Sequence, residues 1–160
     1  MTEAPPSPRH PLGITRAAWT VDCAPDAIGS LRVNVTRVLR RWGLDPDGDQ
    51  AFGVLLVLTE MVTNSSVHSD SGLIDAEMWR DGDNIAVAVM DSSREEPVPR
   101  SAGPDDESGR GLLLVRSYSE SSGCECWPTG KRMWAVIGPH PDPEGNALLL
   151  ASLGEFQTAV

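Results

Sequence analysis

The segment from Pro46 to Val67 constrains the fold of this 160-residue chain more than any other part of it. Its first half, Phe52 to Leu58, is apolar nearly all round, which is typical of a helix enclosed in a core rather than one lying on a surface. Such a helix must be covered by elements from the flanking sequence. The length and the apolar share of 40% are sufficient for one compact domain.

Three polar residues continue this helix at four-residue intervals. Glu60, Asn64 and His68 fall in one row along a single helix face, directly after the apolar stretch. Two interpretations remain open. The row is either a polar stripe that faces water, or a set of side chains that are paired, hydrated or bound to a ligand, because burying them without partners is costly.

The flanking segments predict the other elements of the domain. A strand is expected over residues 14–22, and an amphipathic helix from Pro25 to a C-cap glycine, Gly43. Residues 73–80 with 84–91, and residues 123–127 with 132–137, predict two β-hairpins. The outer face of the amphipathic helix is either solvated or a docking surface for an acidic partner, since it carries Arg32, Arg37, Arg40 and Arg41.

The ends of the chain differ in composition from its middle. We expect a flexible Pro-rich arm over residues 1–13, a domain over 14–138, and a C-terminal extension over 139–160 that ends in a short docked helix. The first residues lack the basic start and apolar run of a secretory signal. No apolar run approaches the roughly 20 residues that span a bilayer. We therefore expect a cytoplasmic protein without a membrane contact.

Charge and cysteine content limit the classes of ligand. A formal net charge of -10 disfavours direct binding to nucleic acid, whose phosphates are held by clustered Lys and Arg. The three cysteines suit reduced thiols. Cys124 and Cys126 fall on the same side of a predicted strand, where such a pair either packs or binds a metal ion.

Two further features suit a small anionic ligand. Asp91 ends a predicted strand, where it is either a turn residue or a pocket residue. After the polar stretch Ser92 to Ser108, Gly109 and Gly111 precede the apolar run that opens a third helix at Leu112. Glycines before a helix form either a flexible loop end or a phosphate site, because they let a phosphate approach the backbone N–H groups.

Taken in order, these segments resemble the ATP-binding fold that is shared by histidine kinases, the Hsp90 chaperone, DNA gyrase and MutL. The short form found in bacterial anti-sigma factors that are serine/threonine kinases is the most similar. The resemblance covers about residues 15–137, and it is carried by LTEMVTNSSVHS (58–69), AVMDSS (88–93), SGRGLLLV (108–115) and GKRMWAVI (130–137).

The resemblance implies ATP and Mg²⁺ as cofactors and a role for each matching residue. Glu60 would be the general base, Asn64 would ligate the magnesium ion, and Asp91 would accept a hydrogen bond from the adenine amino group. Residues 92–108 would form a lid. The nucleotide contacts that it implies are Asn64, His68, Asp91, Ser93, Gly109, Arg110, Gly111 and Leu112.

The resemblance also implies the architecture and the biological role. The fold is expected to be a two-layer α/β sandwich, a mixed sheet of about five strands with three helices on one face. The function is expected to be that of an anti-sigma regulatory factor that phosphorylates an antagonist protein and binds a sigma factor or another regulatory protein. A homodimer is left open.

Two departures from the family pattern keep an alternative function open. The usual Asp-x-Gly-x-Gly is replaced by Asp91-Ser92-Ser93, and Asp105-Asp106-Glu107 stands where kinases of this group carry a basic residue. Acids at that position repel a triphosphate. The alternatives are a nucleotide-sensing protein that sequesters a partner without transferring phosphate, and a scaffold that no longer binds ATP.

Overall fold

The computed structural model describes residue 8 and residues 15–68, 72–93 and 107–152. The expected N-terminal arm lies outside these residues except for Pro8, and so do residues 94–106 of the expected lid. The elements are β1 (Arg16–Asp22), α1 (Ala27–Arg41), α2 (Asp49–His68), β2 (Leu73–Asp81), β3 (Asn84–Asp91), α3 (Glu107–Tyr118), β4 (Ser121–Trp127), β5 (Gly130–Ile137) and α4 (Pro143–Ser152).

The five strands form one sheet in the order β1-β2-β3-β5-β4. The predicted α/β sandwich with a five-stranded sheet is confirmed, but the expectation of a mixed sheet is wrong, because every strand pair in the sheet is antiparallel. The helical connection through α3 does bring β4 parallel to β3. Since β5 lies between these two strands and pairs antiparallel with both, no parallel pair forms.

Helix α2 contributes to the core, although its first half is not enclosed all round as predicted, since Phe52 is 54% exposed. It packs against β2, β3 and β5, and both α1 and α3 are its neighbours. Val54, Val57 and Met61 are fully buried there. Alternate residues of each strand face these helices, and those of β3 are Ile85, Val87 and Val89.

The opposite face of the sheet holds a second, smaller cluster. Trp79 and Trp134 are buried on it together with Ala86, Ala88 and Val136. Beside them, the buried Glu77 carboxylate pairs with Arg16 at 2.6 Å and with Arg132 at 3.2 Å. The Arg132 guanidinium also lies 5.6 Å from the centre of the Trp79 ring, where a cation interacts favourably with an aromatic face.

Helix α1 is amphipathic and ends as its sequence predicts. Leu31, Val35 and Leu39 are buried, whereas the four arginines of its other face are exposed. At the C-terminus Gly43 has a φ of 80°, and its N–H donates to the Arg40 carbonyl. The next N–H, of Leu44, donates to the Leu39 carbonyl, which completes a Schellman cap.

A fourth helix corrects the expected count of three. Helix α4 lies in the C-terminal extension and packs on α3, where the Asn146 side chain donates to the Ser117 carbonyl at 2.7 Å. It was anticipated only as a docked tail helix, because its sequence is apolar without a periodic polar face. Among the described residues, no helix combines the length and apolarity needed to cross a membrane.

Replacing Gly43 tests the left-handed cap of α1. Gly43→Ala should lower the free energy of unfolding by about 1 kcal/mol, because an alanine is strained at this φ. The added methyl group would meet nothing within 4 Å, so the cost is conformational.

The matched control is Gly29→Ala, within the same helix and with equally open surroundings. It should stabilise the protein by up to about 1 kcal/mol, since alanine favours helix. Urea denaturation of both variants measures the difference, and changes of the same sign would contradict the cap assignment.

Candidate functional site

A cleft of about 430 Å³ opens between α2 and α3 and reaches β5. This volume is in the range of small-molecule sites. Its polar residues are Glu60, Thr63, Asn64 and Arg110, and its walls are largely apolar. The apolar walls are formed by Met61, Val67, Leu112, Leu114, Val115 and Met133.

Glu60 and Gly111 lie against each other across this cleft. A Cβ atom added to Gly111 would stand 2.6 Å from Glu60 Oε2, so a larger residue there would displace the end of the Glu60 side chain. With glycine at position 111, the carboxylate of α2 lies close to the backbone of α3. Since Arg110 is exposed and lines the same cleft, it adds a positive charge at this end.

Asn64 lies one helical turn after Glu60 and is held toward β5. Its side-chain nitrogen is 3.5 Å from the Met133 sulfur, a contact in which the amide donates. This contact orients the carboxamide, because the nitrogen then faces β5 and the oxygen points elsewhere. Asn64 thus offers a neutral oxygen ligand beside the Glu60 carboxylate.

The glycine segment lies inside α3, and the expected turn before a helix at Leu112 is wrong. Helix α3 begins at Glu107, so Gly109 and Gly111 occupy its first two turns. Glycine has low intrinsic helix propensity, which is why the sequence favours a loop there. The N–H groups of the first turn still lack acceptors within the helix, so this end retains the character of an anion site.

Asp91 ends β3 as predicted, but its carboxylate is engaged inside the protein. Its Oδ2 atom lies 3.7 Å from Lys131 Nζ, and both side chains are almost completely buried. Oδ1 accepts a hydrogen bond from the Ser93 N–H at 2.8 Å. Oδ2 has no hydrogen bond within the described residues, so it retains capacity for a further donor.

The structure brings only some of the predicted site residues together. Glu60, Asn64, Arg110, Gly111 and Leu112 line one cleft. Asp91 and Ser93 are buried and do not line it among the described residues. His68 is the last residue of α2 and Gly109 lies in α3, but the side-chain environment of position 68 and the burial of position 109 fall outside the description.

Lys131 is a site residue that the sequence interpretation missed. It shares the alternation of Met133, Ala135 and Ile137, which face the core, and this parity predicts a buried lysine. A buried lysine needs a counter-charge. Asp91 is its direct partner in the register of β3 and β5.

An α/β sandwich with this cleft belongs to the class of ligand-binding domains. A carboxylate, a carboxamide and a guanidinium gather at one end of an apolar-walled cleft, which suits a ligand with an apolar body and a charged end.

The family follows from comparison with known proteins. The histidine kinase-like ATPase domain family matches residues 21–136, and the chain belongs to this family. A domain of this family is a nucleotide-binding domain. A comparison with curated proteins gives no match.

A solved structure shows the same fold. The chain is similar to the crystal structure of the RsbU and RsbW domains of Rv1364c from Mycobacterium tuberculosis, with a TM-score of 0.59 and 16% identity. The match covers 78% of this chain and 32% of the other, so it spans about a third of the chain in that crystal structure. At this identity the similarity shows the fold alone.

The buried pair of Asp91 and Lys131 can be tested by removing one charge. Lys131→Met should lower the free energy of unfolding by roughly 3–5 kcal/mol, because it leaves a buried carboxylate without its counter-charge. Thermal or urea denaturation measures the loss.

The matched control removes both charges. The double variant Asp91→Asn with Lys131→Met should regain a large part of the lost stability, since no uncompensated charge stays buried. A double variant less stable than the single one would contradict a direct pair.

Proposed function

We propose that this domain binds Mg²⁺-ATP in the cleft between α2 and α3 and transfers phosphate to a serine or threonine of an antagonist protein, as an anti-sigma regulatory factor. The supporting observation is that Glu60 and Asn64 on α2 face Arg110 and Gly111 on α3 across one cleft. The proposal combines this arrangement with membership of the histidine kinase-like ATPase family.

The residues present fit the phosphate end of Mg²⁺-ATP. Asn64 supplies a neutral oxygen for magnesium, a hard cation that prefers oxygen ligands. Bound magnesium would neutralise phosphate charge. Arg110 and the N–H groups at the start of α3 would hold the remaining phosphate oxygens.

The proposed binding of the adenine base depends on the hydrogen-bonding capacity of Asp91. Its Oδ2 atom is buried without a hydrogen bond in the described residues, and an adenine amino group is a donor that could satisfy it. Lys131 Nζ lies 3.7 Å from the same Oδ2 atom and supplies the counter-charge of the buried carboxylate. Asp91 is not among the described residues that line the cleft. The adenine ring would therefore have to extend beyond these lining residues to contact it.

Glu60 is positioned to act as a general base. It stands one turn before Asn64 on the same helix face, and its carboxylate lies at the first turns of α3. From there it would take the proton of a substrate hydroxyl as that oxygen attacks the terminal phosphorus. The proton would end on the Glu60 carboxylate, and the departing diphosphate would stay at Arg110 and the start of α3.

The proposed partners are a sigma factor or another regulatory protein and an antagonist protein. The exposed arginine face of α1, residues 32, 37, 40 and 41, is a basic surface on an otherwise acidic chain. Such a surface favours association with an acidic partner. Phosphorylation of the antagonist would weaken its binding by adding negative charge.

A second candidate function is that of a nucleotide sensor that binds a partner without transferring phosphate. The observation that favours it is the position of Glu107, the first residue of α3. An acid there stabilises the helix, but it stands at the helix end that would hold the phosphates. Like charges at this end oppose the build-up of negative charge during transfer.

Replacing Asn64 tests the magnesium site. Asn64→Ala should weaken ATP binding in the presence of magnesium by at least roughly tenfold to a hundredfold, the range found when outer-shell partners of a metal site are removed. Calorimetry with and without a chelator measures it. Asn34→Ala, on α1 and away from the cleft, is the matched control and should bind as the wild type does. Wild-type affinity in Asn64→Ala would refute the assignment.

Replacing Glu60 separates the enzyme from the sensor. Glu60→Gln keeps the shape of the side chain but cannot accept the proton, so transfer of labelled phosphate from ATP to the antagonist should fall by about a hundredfold to ten-thousandfold. Affinity for ATP should stay close to that of the wild type.

Two other outcomes would overturn parts of this proposal. A wild-type protein that transfers no phosphate, although ATP alters its affinity for the partner, would establish the sensor. An active wild type with an equally active Glu60→Gln variant would keep the kinase and remove Glu60 from its mechanism.

A further inference from the structure

Two thiols lie close together on the edge strand β4, outside the nucleotide cleft. Cys124 and Cys126 project to the same side of the strand, and their sulfur atoms are 3.8 Å apart. Cys126 is exposed and Cys124 is half-buried against the core. The pair is therefore accessible from one side and anchored on the other.

The separation of the two sulfur atoms matches that of two thiolates on one metal ion. With a zinc–sulfur bond of about 2.3 Å and tetrahedral angles, two ligands stand about 3.8 Å apart. The strand thus presents both sulfur atoms at a chelating distance without rearrangement. In the absence of metal the same distance suits a weak hydrogen bond between the two thiols, in which either sulfur donates.

A disulfide fits the same strand poorly. Extended residues rise about 3.3 Å each and side chains two residues apart project in parallel, so the Cβ atoms of residues 124 and 126 are about 6.6 Å apart. A disulfide holds its two Cβ atoms about 3.5–4.5 Å apart. Forming the bond would shorten the strand and disturb its pairing with β5, whereas binding a metal ion would not.

We infer that Cys124 and Cys126 form a binding site for one thiophilic d¹⁰ metal ion of the zinc class. Among the described residues no third His, Cys, Asp or Glu joins them to make a group of three, so the described side chains supply two ligands and leave the other positions open to water. Binding a divalent ion to two thiols releases two protons, and the resulting dithiolate complex is neutral. No electron transfer is involved.

Met133 connects this site with the nucleotide cleft. It stands opposite Cys124 in the register of β4 and β5, and it lines both the cleft and the smaller depression beside Cys124. Its sulfur also contacts the Asn64 side chain. A metal ion at the thiol pair is therefore one side chain away from the proposed magnesium ligand. Only this link rests on the proposed function, because metal uptake by the thiols does not require ATP.

The test uses the reduced full-length chain under anaerobic conditions, titrated with Cd²⁺ and, in competition, with Zn²⁺. Wild type should bind one Cd²⁺ per chain, develop a thiolate-to-cadmium charge-transfer band in the ultraviolet, and release two protons per ion. Cys126→Ser and Cys124→Ser should each lose most of the band. The matched control, Cys23→Ser, removes the third cysteine, lies on a different part of the chain, and should behave as wild type.

Alkylation of the wild-type protein provides a second measurement, which does not require any cysteine variant to fold. Bound Cd²⁺ should protect residues 124 and 126 from iodoacetamide and leave Cys23 as reactive as before, measured by mass spectrometry. Equal protection of all three, or a band that survives in Cys126→Ser, would overturn the site. So would a chain that forms a disulfide between residues 124 and 126 with mild oxidant yet takes up no metal when reduced.

Discussion

The burial of α2 is the constraint on which both the fold and the site depend. One face of its apolar first half is buried against the sheet, α1 and α3, which fixes the rotation of the helix about its axis. That rotation decides where the second half points. Glu60 and Asn64 face the cleft because Met61 and Val62 between them are buried. Core packing thus determines the direction in which these polar side chains point.

Much of this architecture could be predicted because it follows from the spacing of apolar and polar residues within single helices and strands. The four-residue spacing of α2, the amphipathic period of α1 and the alternation of β3 each involve residues close in sequence. The cap at Gly43 follows from one residue type. The order of the strands did not follow, since the placement of β5 between β3 and β4, which prevents a parallel pair, is a property of the assembled sheet.

The site was predictable to a similar degree and for the same reason. Glu60 and Asn64 are linked by one helical turn, so their juxtaposition can be inferred from sequence. The pair of Asp91 and Lys131 joins residues of two strands that are far apart in sequence, so local patterns do not indicate it. Helix α3 begins before its two glycines, although the low helix propensity of glycine favours a loop there.

Helix α3 is held at its two ends in different ways. The first turns of α3 contain two glycines and lie against Glu60. In its last turn, the Ser117 carbonyl accepts a hydrogen bond from the Asn146 side chain. Helix α4 packs on α3 and exposes Leu148 and Leu149. A single helix, α3, therefore joins the wall of the cleft to the helix that carries this exposed apolar patch.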